Sequence, residues 1–148
     1  MERKKPANQD LTTTINLGGL RSVSDHVSAL LDRATQAEQD VIAALPQGSA
    51  MLLVLSGPSR GARFLINSDV TTIGRSPESE IFLDDITVSR KHAEVIKTEG
   101  SYEVRDCGSL NGTYVDGKLE SKSTLIDGTE LHIGKFKMHF FVGGKVRA

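Results

Sequence analysis

The sequence predicts an antiparallel β-sandwich, on two observations. Beyond Pro46, short apolar and β-branched runs alternate with turn signals such as Asp116-Gly117 and Asp127-Gly128, which suit tight turns. No amphipathic helical pattern interrupts this series, which argues against a βαβ fold. The predicted strands are residues 50–55, 63–66, 71–74, 93–97, 102–105, 130–133 and 136–142. A sandwich of this kind carries its function in loops at one end.

Composition excludes several classes of function. The chain has 148 residues and a formal net charge of -1, which gives no electrostatic case for binding nucleic acid or an acidic membrane. Its one cysteine, Cys107, cannot form an internal disulfide and leaves too few thiols for a zinc or iron–sulfur site. Neither a signal peptide nor an apolar run long enough to span a bilayer is visible. We therefore expect a cytoplasmic protein without a cofactor.

The part of the chain before Pro46 has a different character. It contains no aromatic residue with which to build a core, so we predict an N-terminal tail over 1–46 and a folded domain over 47–148. Apolar residues recur at helical spacing over 22–45 and predict one helix there, with Ser22 and Asp25 as its capping pattern and Pro46 as its stop. The sequence leaves open whether this helix docks on the sandwich, docks on a partner or is marginal.

Three segments expected in loops are rich in groups that bind anions. They are residues 74–76, 87–92 and 109–113. Arg75 offers a planar fork of donors for two phosphate oxygens, Ser89 a compact hydroxyl, and Arg90 a second cation. Asn111 has an amide donor and a carbonyl acceptor that can pair with the backbone of an extended peptide. Together these residue types suit a phosphorylated peptide.

In order and spacing, the three segments resemble the forkhead-associated (FHA) domain, a class of phosphopeptide reader. The matching motifs are Gly74-Arg75, Ser89-x-x-His92 and Asn111-Gly112-Thr113. The resemblance implies an eleven-stranded β-sandwich that binds phosphothreonine peptides through loops at one end.

The resemblance also implies a role for each matching residue. Arg75 and Ser89 would hold the phosphate with help from Arg90, and Asn111 would bond to the peptide backbone beside the phosphothreonine. The remaining motif residues would be structural, namely Gly74, His92, Gly112 and Thr113.

A closer resemblance is to the actinobacterial 2-oxoglutarate dehydrogenase inhibitors of the GarA type. Residues 48–50, 77–85, 108–115 and 133–136 carry it. It implies that a serine/threonine protein kinase phosphorylates a threonine of the tail, which the protein's own FHA domain then captures. The unphosphorylated form would inhibit the E1 component of 2-oxoglutarate dehydrogenase. Some members of the family also regulate glutamate dehydrogenase and glutamate synthase.

The tail offers three candidate phosphorylation sites, Thr12, Thr13 and Thr14. Thr12 ranks first because Ile15 follows three residues later, where many FHA domains select an apolar side chain. The family's acidic residue directly before the threonines is missing here, and polar tails often contain threonine without any modification.

The sequence also leaves room for functions other than that of a kinase-controlled inhibitor. The alternative is an adaptor whose FHA pocket binds phosphothreonine sites on other signalling proteins. An enzyme is disfavoured because no paired carboxylates, nucleophile–base pattern or phosphate-binding Walker loop is present. We expect His132 and His139 to face solvent, Cys107 to be a buried, inert thiol, and Phe82 to belong to the core.

Overall fold

The computed structural model describes residues 25–145 and contains a two-sheet sandwich. Residues 25–32 form helix α1, and Gln36–Ala43 form helix α2. The eleven strands are β1 (Ala50–Val54), β2 (Arg63–Ile66), β3 (Val70–Gly74), β4 (Ile81–Phe82), β5 (Ala93–Thr98), β6 (Ser101–Asp106), β7 (Thr113–Val115), β8 (Lys118–Leu119), β9 (Lys122–Leu125), β10 (Glu130–Ile133) and β11 (Phe136–Val142).

The strands are shared between a six-stranded and a five-stranded sheet. Their orders are β2-β1-β11-β10-β7-β8 and β4-β3-β5-β6-β9, and only the short β3–β4 pair is parallel. The predicted eleven-stranded β-sandwich is confirmed. The strand pattern by itself predicted seven of the eleven. It missed β4, β7 and β8, which have two or three residues and are too short for alternation to be read, and it also missed the four-residue β9.

The core lies between the sheets, and alternate residues of each strand supply it. In β1 the inward positions are Ala50, Leu52 and Val54, and in β11 Met138 and Phe140 lie opposite them. Since successive side chains of a strand point to opposite faces, the residues between these positions face outward.

The predicted single helix over 22–45 is wrong, because the chain breaks into α1 and α2. Thr35 has extended backbone angles, and its side chain accepts a hydrogen bond from the Glu38 N–H. The Glu38 carboxylate accepts one from the Thr35 N–H in return, which completes a capping box. This box starts a new helix in the middle of the predicted one. Asp25 lies in α1, and Ser22, its proposed capping partner, lies outside the described residues.

From Ala34 onward the chain forms one compact unit, so α2 belongs with the strands. Glu38 pairs with Arg60 in the β1–β2 hairpin at 3.5 Å, and Leu45, just after α2, accepts a hydrogen bond from the Gly144 N–H beyond β11. These anchors lie at opposite ends of β1 and β11, so α2 runs beside these strands. Leu53 and Phe141 are fully buried although they do not belong to the core between the sheets, so we infer that α2 covers this outer face, where Ile42 is also buried.

Two expectations about the burial of strand residues fail. His139 faces outward from β11 as alternation predicts, but only 5% of it is exposed because this part of the outer face is itself covered. Phe82 is 43% exposed, because β4 is a two-residue strand at the edge of its sheet and turns this ring away from the core. Within the described part of the chain, no helix has the length and hydropathy needed to cross a bilayer.

Candidate functional site

The three predicted segments meet at one end of the sandwich. The first follows β3 and the second precedes β5, and these ends adjoin because Ile73 pairs with Ala93 in an antiparallel register. The third segment follows β6 and ends on the first residue of β7, and the Cys107 N–H, two residues before the segment, donates to the His92 carbonyl. The sheet register therefore brings together residues that are up to 39 positions apart in the sequence.

Arg75 is held against the second segment by two hydrogen bonds. Its backbone N–H donates to the Ser89 carbonyl at 2.9 Å, and its Nε donates to the Val88 carbonyl at 3.0 Å. Among the described residues, its two terminal nitrogens have no hydrogen-bond partner. Nε thus fixes the half-buried guanidinium in place, and its two terminal nitrogens remain available to bind an anion.

Ser89 is positioned by the fully buried ring of His92. The Ser89 N–H donates to His92 Nδ1 at 3.0 Å, so this nitrogen must be the unprotonated one. His92 Nε2 therefore carries the hydrogen and donates to the Gly112 carbonyl at 2.8 Å. Ser89 Oγ accepts from the Leu110 N–H at 3.0 Å, which leaves the hydroxyl hydrogen to donate to a ligand.

Asn111, on the third segment, contacts the second segment. Its Nδ2 donates to the Thr87 carbonyl at 3.0 Å, and the side chain is otherwise exposed, so its carbonyl oxygen can accept from a peptide. Arg90 is also exposed, and its backbone carbonyl accepts from the Ser76 N–H. One network of hydrogen bonds thus connects Arg75, Ser89 and Asn111.

Gly74 is required by space rather than by backbone conformation. A Cβ at this position would lie 2.1 Å from the Arg90 carbonyl oxygen and 2.9 Å from its carbonyl carbon. Any side chain would therefore push apart the two segments that carry Arg75 and Ser89.

Comparisons with known proteins identify the family of this fold. The FHA domain family matches residues 71–134. The Corynebacterium glutamicum protein named oxoglutarate dehydrogenase inhibitor is 45% identical over 138 residues, covering 93% of each chain. The glycogen accumulation regulator GarA of Mycolicibacterium smegmatis is 50% identical over 101 residues, covering 68% of this chain and 64% of that one.

The chain belongs to the FHA-domain family that contains these two regulators. Among solved structures, Mycobacterium tuberculosis EmbR in complex with a low-affinity phosphopeptide is 26% identical with a TM-score of 0.61. That match covers 86% of this chain and 31% of the EmbR chain.

Sequence reasoning missed Asp106, which shapes the FHA loop that carries Asn111. Its carboxylate accepts hydrogen bonds from the Gly108 and Ser109 N–H groups and from the hydroxyls of Ser109 and Thr113. Burial alone would raise the pKa of Asp106, but these hydrogen bonds outweigh it and lower the pKa. A sequence pattern could have indicated this role: Asp106 is followed by a serine three positions later, a glycine six positions later and a threonine seven positions later.

A second missed cluster fixes the loop that carries Ser89. Asp85 accepts from the Thr87 N–H at 2.9 Å and from its hydroxyl, and pairs with Lys135 Nζ at 2.9 Å. The Lys135 N–H donates to Thr87 Oγ1, which ties this loop to the β10–β11 turn. The Thr87 hydroxyl, Lys135 and the Thr87 N–H lower the pKa of Asp85 to about 2. Lys135 lies 50 positions after Asp85 and 48 after Thr87, so no local sequence pattern indicates this contact.

Among the remaining predicted residues, two of the motif residues have structural roles. Gly112 has a φ of +86°, and Thr113 is buried against Asp106. The expectation of a buried Cys107 is wrong, since the thiol is exposed; partial burial, Glu94 and Asp106 raise its pKa. The candidate phosphorylation sites Thr12, Thr13 and Thr14 lie outside the described residues.

Proposed function

We propose that the protein is a non-catalytic regulator that inhibits the E1 component of 2-oxoglutarate dehydrogenase and is switched off when its FHA pocket binds its own phosphorylated tail. The observation that carries this proposal is the network joining Arg75, Ser89 and Asn111 in a chain whose relative is named an oxoglutarate dehydrogenase inhibitor.

The pocket is suited to a phosphorylated threonine. The phosphate carries nearly two negative charges and three acceptor oxygens. The terminal nitrogens of Arg75 and the hydroxyl of Ser89 would donate to these oxygens, and Arg90 would add a second positive charge. Asn111 would bind the peptide backbone beside the phosphothreonine. An unphosphorylated threonine carries none of this charge. Phosphorylation therefore makes the tail bind the pocket more tightly, and this difference in affinity is what a switch requires.

Capture of the chain's own tail is geometrically feasible. The compact unit begins at Ala34, and the ion pair of Glu38 with the β1–β2 hairpin puts the start of α2 at the same end of the sandwich as the site. About 20 residues separate this point from Thr14. Such a tether can span tens of ångströms even when residues 25–32 are helical, and it gives an effective concentration of up to about 1 mM.

The partners implied are a serine/threonine protein kinase that modifies Thr12, Thr13 or Thr14, and the dehydrogenase that the unphosphorylated form binds. Glutamate dehydrogenase and glutamate synthase are further candidate targets by family resemblance. An adaptor that binds phosphothreonine sites on other proteins is the second candidate, because the similar EmbR structure holds a phosphopeptide as a separate molecule.

Calorimetric titration of the unphosphorylated full chain tests the pocket and identifies the tail residue. Three peptides spanning residues 8–20, each phosphorylated at one of Thr12, Thr13 and Thr14, are compared with the unphosphorylated peptide. We expect one phosphopeptide to bind and the unphosphorylated peptide not to. Arg75→Ala and Ser89→Ala should abolish this binding while the chain stays folded, and retained affinity in both variants would overturn the pocket assignment.

An inhibition assay tests the target. The unphosphorylated chain should inhibit the 2-oxoglutarate dehydrogenase complex of the same organism, and the chain phosphorylated at the identified threonine should not. Failure of the unphosphorylated chain to inhibit, together with capture of other proteins only when they are phosphorylated, would favour the adaptor.

A further inference from the structure

Asn111 is followed directly by Gly112, and this is the only Asn-Gly pair in the sequence. Such a pair is chemically labile, because glycine has no Cβ to hinder its backbone nitrogen from attacking the carbonyl carbon of the asparagine side chain. Ammonia leaves as a five-membered succinimide ring closes, and water then opens the ring to aspartate or isoaspartate. The net change replaces the amide nitrogen with an oxygen that ionises, and it needs no enzyme.

Both members of this labile pair are fixed by other requirements. Gly112 has a φ of +86°, which side chains other than glycine rarely adopt, and Leu119 packs where a Cβ would stand. The candidate site uses the amide of Asn111, whose Nδ2 donates to the Thr87 carbonyl. The loop therefore keeps the pair, and its chemistry can be limited only by the contacts around it.

Two hydrogen bonds restrain the groups that would react. The Gly112 N–H donates to Ser109 Oγ at 3.0 Å, so the attacking nitrogen is engaged. The Ser109 hydroxyl in turn donates to Asp106, which holds this acceptor in place. The Asn111 amide is held by the Thr87 carbonyl at 3.0 Å, while its side chain is exposed to water. The rate of the reaction should therefore depend on how often the bond between Gly112 and Ser109 opens.

Either product would damage the candidate site. An aspartate in place of Asn111 has no N–H to donate to the Thr87 carbonyl, and its negative charge would repel a bound phosphate. Isoaspartate also inserts one extra carbon into the backbone directly before Gly112. The Gly112 carbonyl accepts from His92 Nε2, and the same ring supports Ser89, so this insertion would disturb the loop that carries the serine as well.

We propose that Asn111 is a site of spontaneous deamidation, that the hydrogen bond from Gly112 to Ser109 sets its rate, and that the modified chain no longer binds a phosphorylated peptide. The third part rests on the proposed function, whereas the first two do not. A phosphatase or kinase cannot reverse this change, so it would leave the pocket empty whatever the state of the tail. The contacts of Asp106 and Ser109 then protect the pocket in addition to shaping its loop.

Ageing of the full chain in a mildly alkaline buffer tests the chemistry. Peptide mass spectrometry measures conversion at Asn111 and, as an internal reference, at Asn67, an exposed asparagine between β2 and β3. Ser109→Ala removes the hydroxyl that accepts from the attacking nitrogen. The matched control is Ser101→Ala, which removes a serine hydroxyl at the opposite end of β6 from the third segment.

We expect Asn111 to convert in the wild type and to convert about fivefold faster in Ser109→Ala, the factor that one ordinary hydrogen bond supports. Conversion at Asn67 should be the same in all chains, and Ser101→Ala should behave like the wild type. Deamidation adds a negative charge, so ion exchange separates the modified wild type from the unmodified chain. The dissociation constant of the modified chain for the tail phosphopeptide should be raised at least about tenfold.

An aged wild type in which Asn67 converts and Asn111 stays intact would overturn the proposed modification site. A modified chain that binds the phosphopeptide as tightly as the unmodified chain would overturn its effect, and a folded Ser109→Ala chain that converts at the wild-type rate would overturn the protective role. The first two outcomes use the wild type alone, so they decide even when Ser109→Ala does not fold. An unmodified wild type that binds none of the phosphopeptides would overturn the proposed function instead, and conversion measured by mass would be unaffected.

Discussion

His92 accepts a hydrogen bond from the Ser89 N–H through Nδ1 and donates one from Nε2 to the Gly112 carbonyl. One buried ring thus sets the distance between the loop that carries Ser89 and the loop that carries Asn111. A histidine with no metal or catalytic partner is often assigned to the surface, but here both nitrogens are used for structure.

We expect His92→Ala to destabilise the chain by about 2–4 kcal/mol, because it leaves a cavity and two backbone groups without their partner. Phosphopeptide affinity should fall as well, since Ser89 loses its support. Urea unfolding gives the first quantity and calorimetry the second. His132→Ala is the control: His132 is half-buried on β10 and should cost less than about 1 kcal/mol. Equal losses in the two variants would contradict the bridging role.

Gly74→Ala should destabilise the chain by about 1–3 kcal/mol and weaken phosphopeptide binding, because the new methyl group meets the Arg90 carbonyl. The neighbouring Ser79 Oγ lies 3.0 Å from the same point, so Ser79→Ala tests whether that contact matters. The double variant should unfold as readily as Gly74→Ala alone, since the clash with the backbone remains. Rescue by Ser79→Ala would show that the side chain, and not the carbonyl, is the obstacle.

The ion pair and hydrogen bonds of Asp85 should make the domain sensitive to acid. The pKa of this carboxyl falls from 3.8 to about 2 on folding, so its stabilisation is complete above about pH 4 and is lost as the pH falls to about 2. Asp85→Asn should therefore lower the free energy of unfolding at pH 7 and reduce its decline between pH 4 and 2. Urea titrations at pH 7, 4, 3 and 2 measure this. An unchanged decline in the variant would place the acid sensitivity elsewhere, with Asp106 the next group to test.

Arg75→Lys should separate charge from geometry. Lysine keeps the positive charge but loses the planar fork and the Nε bond to the Val88 carbonyl. We expect phosphopeptide affinity to fall by about tenfold, between the wild type and Arg75→Ala. Inhibition of the dehydrogenase should weaken in Arg75→Ala, because we propose that the enzyme and the phosphopeptide bind to the same face. Normal inhibition by an Arg75→Ala chain that no longer binds phosphopeptide would show that the two activities use different faces.

The sequence by itself determined the fold class and, through its resemblance to the FHA domain, predicted which loops carry the candidate site. The sandwich followed from short apolar runs between turn signals, and the order Gly74-Arg75, Ser89-x-x-His92 and Asn111-Gly112-Thr113 selected the loops that meet. These features are local: each depends on residues within a few positions of one another, where alternation, turn chemistry and motif spacing are visible.

Only the tertiary structure decided the long-range partners. Alternation placed His139 on the outer face of β11 but gave no sign that this face is covered. The helical pattern over 22–45 concealed the break at Thr35, since both halves share one apolar periodicity. The link from Asp85 through Thr87 to Lys135 joins residues almost 50 positions apart. Such contacts arise from sheet register and from packing between layers, which a pattern of neighbouring residues does not encode.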